Sequence, residues 1–248
     1  MNDHRVVIVT GGSRGIGREA CRAFAARGDA VVVASRKADA CTALAAELTA
    51  EFGTPALGVG THVGRWADCD ALADRVLDGF GRIDVLVNNA GMSPLYDSLT
   101  GVTEELFDKV VAVNLRGAFR LGTRCGEHMA ARGGGAIVNV SSIAAVRPDP
   151  GELPYAMAKA GLNTLTVGLA RAYAPSVRVN TVMPGPIRTD IAEHWTEEMR
   201  ARLADEIPAG RVGEAPEVVG AIMYLTGPDA GYTTGATIKV DGGTAWST

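Results

Sequence analysis

Hydrophobic positions along this chain follow two alternating rhythms. Short runs of β-branched and small apolar residues recur at Val6–Val9, Ala30–Ala34, Ala56–Val59, Val85–Val87, Ala136–Val140, Val177–Thr181 and Thr237–Val240. Between them, Ile16–Ala26, Ala38–Glu51, Ala67–Phe80, Glu104–Met129, Pro154–Tyr173 and Glu217–Thr226 carry apolar residues at helical spacing. Apolar runs without polar alternation suit strands covered on both faces, and a strand that returns after each helix implies crossovers onto a parallel sheet. The pattern predicts an α/β fold, a doubly wound parallel sheet of seven strands with helices on both faces. One long irregular stretch runs from Pro184 to about Gly213, with a helical pattern around Glu197–Leu203, and reads as a lid or binding loop. With no internal repeat, low-complexity tract or long linker, residues 1–248 are expected to form a single domain.

Composition narrows the partners. The 248 residues, 47% of them hydrophobic, can bury a full core. Balancing 24 basic against 28 acidic residues gives a net charge of −4 with no basic run, which argues against nucleic acid or a membrane surface as partner. Cys21, Cys41, Cys69 and Cys125 match no zinc or redox spacing and read as reduced thiols, so no metal site is expected. The N-terminus leads directly into a strand without a signal-peptide core, and a cytoplasmic location is the expectation.

The first strand is followed at once by Thr10-Gly11-Gly12-Ser13-Arg14-Gly15-Ile16-Gly17, which opens the first helix. That is the context of a dinucleotide-binding turn in a Rossmann-type sheet. Gly11 permits the tight turn, Gly15 lets the backbone approach a pyrophosphate, Gly17 lets helix and strand pack closely, and the helix N-terminus offers N–H groups to the anion. At the end of the second strand, where a site for NAD places a carboxylate on the ribose hydroxyls, the chain reads Ala34-Ser35-Arg36-Lys37. Arg36, with Arg14, suits a 2′-phosphate, so NADP(H) is favoured and NAD(H) is possible; a solvated helix start is the alternative for Arg36 and Lys37.

Tyr155 and Lys159 stand four apart in a predicted helix and project from one face. A free phenol has a pKa of about 10, and a nearby cation would lower it and make a usable proton donor. By itself this spacing is commonly an aromatic on the core beside a solvated charge. Asn88-Asn89-Ala90-Gly91 after the fourth strand, Asn114 on the next helix and Ser141-Ser142 after the fifth strand all fall at carboxyl ends of strands or beside them, where open α/β sheets bind ligands.

This ordered set, with Ser142 thirteen residues before Tyr155, Pro184-Gly185-Pro186-Ile187-Arg188-Thr189 and Asp241-Gly242-Gly243, closely resembles the short-chain dehydrogenase/reductase family over nearly the whole length. The resemblance implies a Ser-Tyr-Lys-Asn catalytic set. Tyr155 would be general acid or base, Ser142 would hold the reacting oxygen, Lys159 would tune the tyrosine and hold the nicotinamide ribose, and Asn114 would hold a relay water. It further implies cofactor contacts from Gly11, Ser13, Arg14, Gly15, Ile16 and Gly17, from Ser35 and Arg36, from Val63, from Asn89, Ala90 and Gly91, and from Pro184, Gly185, Ile187 and Thr189, besides Tyr155 and Lys159. Where the family commonly has an acid before the hydrophobic residue at the adenine edge, this chain has His62-Val63, which leaves a role for the His62 side chain open.

The implied activity is hydride transfer between a nicotinamide cofactor and a ketone, aldehyde or secondary alcohol. Met92, Leu95, Tyr96, Ile143, Val146, Pro148, Leu153, Ile191 and Trp195 point to an apolar substrate. Reduction of a 3-oxoacyl thioester on an acyl carrier protein is the leading alternative, with Arg116, Arg120 and Arg124 as a docking face; a regulatory protein that only binds the dinucleotide is a further one. Similarity to the family also implies a homodimer or homotetramer through the long helices, with the tail Thr244–Thr248 and Trp246 near a neighbouring subunit.

Overall fold

The computed structural model describes residues 4–189 and 205–245. Seven parallel strands form one sheet: β1 (Val6–Thr10), β2 (Ala30–Ser35), β3 (Ala56–Gly60), β4 (Val85–Asn88), β5 (Gly135–Val140), β6 (Val177–Pro184) and β9 (Thr237–Val240), in the order β3-β2-β1-β4-β5-β6-β9. The chain winds outward from β1 in one direction and resumes at β4 in the other, so a crevice opens between the carboxyl ends of β1 and β4. A short parallel pair, β7 (Ile187–Arg188) and β8 (Gly213–Glu214), lies beyond β6.

Alternation along the strands feeds two cores. Val6 and Ile8 pack with Leu72 and Val76 of α3 (Trp66–Phe80), with Leu121 and Met129 of α5 (Gly117–Ala131) and with Leu169 of α6 (Leu153–Tyr173). Val7 and Val9 face the other way, toward Phe24 of α1 (Gly15–Ala26), Leu48 of α2 (Ala38–Phe52) and Ile222 of α7 (Ala215–Thr226). Successive side chains of a strand point to opposite faces, so an uninterrupted valine run such as Val6-Val7-Ile8-Val9 is what a sheet covered on both sides requires.

Two expectations need correction. The periodic stretch Glu104–Met129 is not one α-helix: α4 (Glu104–Val111) passes into a π-wound segment, Ala112–Arg116, before α5 begins. The cause lies in what the segment must reach. Asn114 turns its side chain onto the backbone of Met92, and at Gly117 the helix runs so close to the Val63 loop that a Cβ would stand 2.2 Å from the Val63 carbonyl oxygen. Strand β6 also continues to Pro184, three residues beyond the expected end, because its last residues pair with β9. The helical pattern around Glu197–Leu203 lies outside the described residues.

All four cysteines are buried and free. Burial pushes the Cys69 thiol up to about 11 and Cys125 up to about 12, away from the thiolate that metal or redox chemistry needs.

Candidate active site

The glycine turn is held by its neighbours rather than by itself. Asn89 Nδ2 donates to the carbonyls of Thr10 (3.0 Å) and Gly11 (3.3 Å), while Thr10 Oγ1 accepts from the backbone N–H groups of Asn89 and Ala90 at 3.0 and 3.1 Å. The ends of β1 and β4 are thus tied together directly beneath the crevice. Gly11 and Gly15 take left-handed φ angles of 64° and 51°. A Cβ at Gly17 would lie 2.2 Å from the Gly11 carbonyl oxygen, so the close packing expected of this position is real.

Above the turn lies a cleft of about 660 Å³, within the usual range for a ligand site. Every residue expected to contact the cofactor or take part in the chemistry lines it, except Gly17 and Asn114, which act from behind its wall. The residues present fit a dinucleotide on several counts. Arg14, at the N-cap of α1, makes no side-chain cap, and the first turn holds no acid, which leaves the helix N–H groups to an anion. Arg14 and Arg36 are exposed at the cleft, and among the described residues neither has a carboxylate partner. Ser13 and Ser35 share a hydrogen bond of 2.9 Å between them. His62 also lines the cleft: its Nδ1 accepts from the Gly64 N–H at 3.2 Å, so the ring's Nε2 carries the proton and is a donor.

Ser142, Tyr155 and Lys159 meet at the far end of the same cleft. Ser142 caps the short turn after β5, accepting from the Ala144 N–H at 3.2 Å. Its neighbour Ser141 is buried and donates to the Lys159 carbonyl at 3.3 Å, a structural bond. Lys159 is 3% exposed, and its Nζ donates to the Val140 carbonyl at 2.7 Å. That ammonium lies over the Tyr155 ring, 5.6 Å from the centroid.

The electrostatics differ from the expected pairing. Burial pushes the Tyr155 phenol up to about 12, opposed by the Ser142 hydroxyl and assisted by the charge of Glu152. Burial likewise pushes Lys159 down to about 8. Desolvation therefore sets the direction of both shifts in the protein alone. Asn114 is also engaged differently from a free water-binding amide. Its Nδ2 donates to the carbonyls of Met92 (2.8 Å) and Val110 (2.9 Å), and its Oδ1 accepts from the Met92 N–H at 3.1 Å. A Cβ on Gly91 would fall 3.0 Å from Asn114 Oδ1 and 3.6 Å from Lys159 Nζ, so Gly91 is the spacer between them.

Among the described residues, most of the apolar side chains expected at the substrate end do not line the cleft. Of the apolar set, Met92 lines the cleft; Leu95 is 89% exposed, and Tyr96 hydrogen-bonds the Pro150 carbonyl and the Leu153 N–H; Ile191 and Trp195 lie outside the described residues. Ser93 and Glu152, not singled out from the sequence, are both in the lining; Glu152 stands at the N-cap of α6, just before the helix that carries Tyr155 and Lys159. On the arginine face, Arg116 is exposed and donates to the Gly64 carbonyl, while Arg120 grips Asp70 and Arg124 pairs with Asp74, both on α3.

With this geometry in view, comparison with known proteins decides the family. A family model described as Enoyl-(Acyl carrier protein) reductase matches residues 11–245. L-rhamnose 1-dehydrogenase (NAD(P)(+)) of Azotobacter vinelandii is 39% identical over 246 residues, covering 96% of each chain. Human dehydrogenase/reductase SDR family member 4 is 37% identical over 244 residues, 97% of this chain and 87% of that protein. The chain belongs to the short-chain dehydrogenase/reductase family. A short-chain type dehydrogenase/reductase from Mycobacterium marinum superposes with a TM-score of 0.91 at 31% identity, covering 98% of this chain and 96% of that one. Family membership makes the protein an oxidoreductase of CH–OH or C=O groups in small molecules, working with a nicotinamide cofactor. Among the described residues, no helix is long and apolar enough to cross a membrane, and no cluster of ligands could hold a metal.

Proposed function

We propose that this protein interconverts ketones or aldehydes and alcohols with NADP(H) in preference to NAD(H), using Ser142, Tyr155, Lys159 and Asn114. The observation that carries the reading is the single cleft in which Tyr155, Ser142 and Lys159 stand at one end and the glycine turn with Arg14 and Arg36 at the other. The bound nicotinamide supplies or accepts the hydride. Ser142 orients the reacting oxygen, and Tyr155 gives it a proton in reduction or takes one in oxidation. Lys159, anchored on Val140, holds the nicotinamide ribose and reloads the phenol. Asn114 Oδ1 keeps one lone pair beyond its bond to Met92, which suits it to the relay water. Gly11 to Gly17 hold the pyrophosphate, with Ile187 and Thr189 on the carboxamide; Thr189 faces Gly15 across the cleft, 3.4 Å from where a Cβ would sit.

We read residues 1–248 as one such domain, with a substrate-loop region at about 184–213, acting in the cytoplasm as a homodimer or homotetramer. Light scattering tests the assembly. Trp246 lies outside the described residues; Thr244 just before it is held by Arg147, which donates to its carbonyl at 2.8 Å. The 3-oxoacyl-carrier reading is weakened by the ion pairs of Arg120 and Arg124 with α3, and a purely regulatory role by the presence of both Tyr155 and Lys159. Following NADPH oxidation over ketones, diketones, steroids and a 3-oxoacyl thioester is the deciding experiment. Turnover with the thioester alone would favour the carrier-protein reading, and NADPH binding without turnover of any of them would favour the regulatory one.

A further inference from the structure

Just before α6 stands a carboxylate that the family's hydride chemistry does not require. Glu152 occupies the N-cap position of that helix but does not cap it. Its side chain turns to the cleft instead, where Oε2 accepts from Ser93 Oγ at 3.3 Å. Glu152 is half-buried, and among the described residues no lysine or arginine pairs with it. Burial, with the charge of Asp149 behind it, raises its pKa. A carboxylate offers about four acceptor sites, and a single long hydrogen bond leaves most of them unmet.

The wall around it is fixed rather than loose. Tyr96 accepts from the Leu153 N–H at 2.8 Å and donates to the Pro150 carbonyl, which ties the strip carrying Ser93 to the turn carrying Glu152. An acceptor held in place at the N-cap, three residues before the proton-transferring phenol, is a recognition element for a donor on the substrate.

We infer that Glu152 selects substrates bearing a hydroxyl beside the reacting carbon, so that the preferred class is polyol- or sugar-like rather than apolar. This rests on the oxidoreductase reading of the same cleft. A hydroxyl fits better than an ammonium on two grounds. It needs one acceptor, which the Glu152 positions left free by the Ser93 bond supply, whereas an ammonium brings three donors. A substrate cation would share the cleft with the Lys159 ammonium and be repelled by it.

The test uses three size-matched alcohols oxidised with NADP+: cyclohexanol, trans-cyclohexane-1,2-diol and trans-2-aminocyclohexanol. Wild type, Glu152→Gln and Glu152→Leu are compared after thermal melts and NADPH titration establish that each variant folds and binds cofactor. The expected result is a wild-type kcat/KM for the diol at least about tenfold above cyclohexanol, a ratio near one in Glu152→Leu, and an intermediate ratio in Glu152→Gln, which keeps an acceptor oxygen. The diol preference should also weaken as pH falls and the carboxylate protonates. An equal ratio in wild type and Glu152→Leu, with cyclohexanol turned over, overturns the inference and leaves the oxidoreductase reading standing. A preference for the amino alcohol that Glu152→Leu abolishes overturns the choice of hydroxyl. No turnover of any of the three by cofactor-loaded protein overturns both.

Discussion

Lys159 Nζ is held by the Val140 carbonyl at 2.7 Å and lies over the face of Tyr155, 5.6 Å from the ring centroid. Its ammonium is thus fixed by the end of β5 and reaches the phenol across the ring. The two side chains have separable duties, and Tyr155→Phe should reduce turnover by several orders of magnitude while leaving NADPH affinity within about threefold. Lys159→Met should damage both. Stopped-flow turnover and fluorescence titration of NADPH separate the two outcomes; most of the wild-type rate surviving in Tyr155→Phe would remove the acid-base assignment.

The buried lysine carries a signature in stability. Its pKa falls from 10.5 unfolded to about 8 folded, so between those values the unfolded chain binds more protons. Stability must then rise with pH through that window, and the contribution is lost as pH falls through about 8. Against Lys159→Met, which cannot titrate there, wild type should gain on the order of 1–3 kcal/mol between pH 7.5 and 10.5. Urea melts of both proteins across that range measure it, and parallel curves would show that the ammonium is not desolvated.

Cofactor choice should turn on Arg36. A guanidinium on a phosphate contributes about 1.5–3 kcal/mol per charge-assisted hydrogen bond, one to two decades in affinity. Arg36→Asp should weaken NADP(H) and bring NAD(H) to parity or better, since a carboxylate repels the phosphate and accepts from ribose hydroxyls. The wild-type preference should shrink with rising salt, because Arg36 is exposed. Equal kcat/KM for NADH and NADPH in wild type contradicts the assignment.

Asn114→Ala should cost about 1–3 kcal/mol, because it strands the Met92 N–H and the carbonyls of Met92 and Val110. Asn114→Asp should do worse, keeping the acceptor but removing both donors. Thermal denaturation with and without NADPH tests this; a larger loss in the cofactor-bound form would also place the residue in cofactor positioning.

Much of this was legible from spacing. The valine runs gave the strands, and Thr10–Gly17 gave the turn, because the local sequence alone sets those conformations. What escaped was tertiary. Asn114 breaks a helix by reaching for Met92, 22 positions earlier, and periodicity carries no trace of that partner. Arg120 and Arg124 looked available until Asp70 and Asp74 on α3 came alongside. Tyr96 read as a pocket aromatic, yet its hydroxyl is spent on Pro150 and Leu153. Glu152 was not singled out, because whether a carboxylate at a helix start caps it or turns to the cleft depends on a turn that the sequence does not specify.

The π-wound stretch Ala112–Arg116 has a consequence for how this chain can change length. Hydrogen bonds from i to i+5 take in one residue more than an α turn, so the segment acts as a one-residue insertion that sets the phase between α4 and α5. Deleting one residue there would close the segment as an ordinary α turn and leave α5 in phase with α4, so Leu121, Cys125 and Met129 would stay in the core and Arg120 and Arg124 beside their partners on α3. The deletion would instead remove the bulge from which Asn114 reaches Met92. Loss of one peptide unit in this stretch therefore costs the site rather than the fold, whereas the same loss within α5 would turn every later residue of that helix by about 100°.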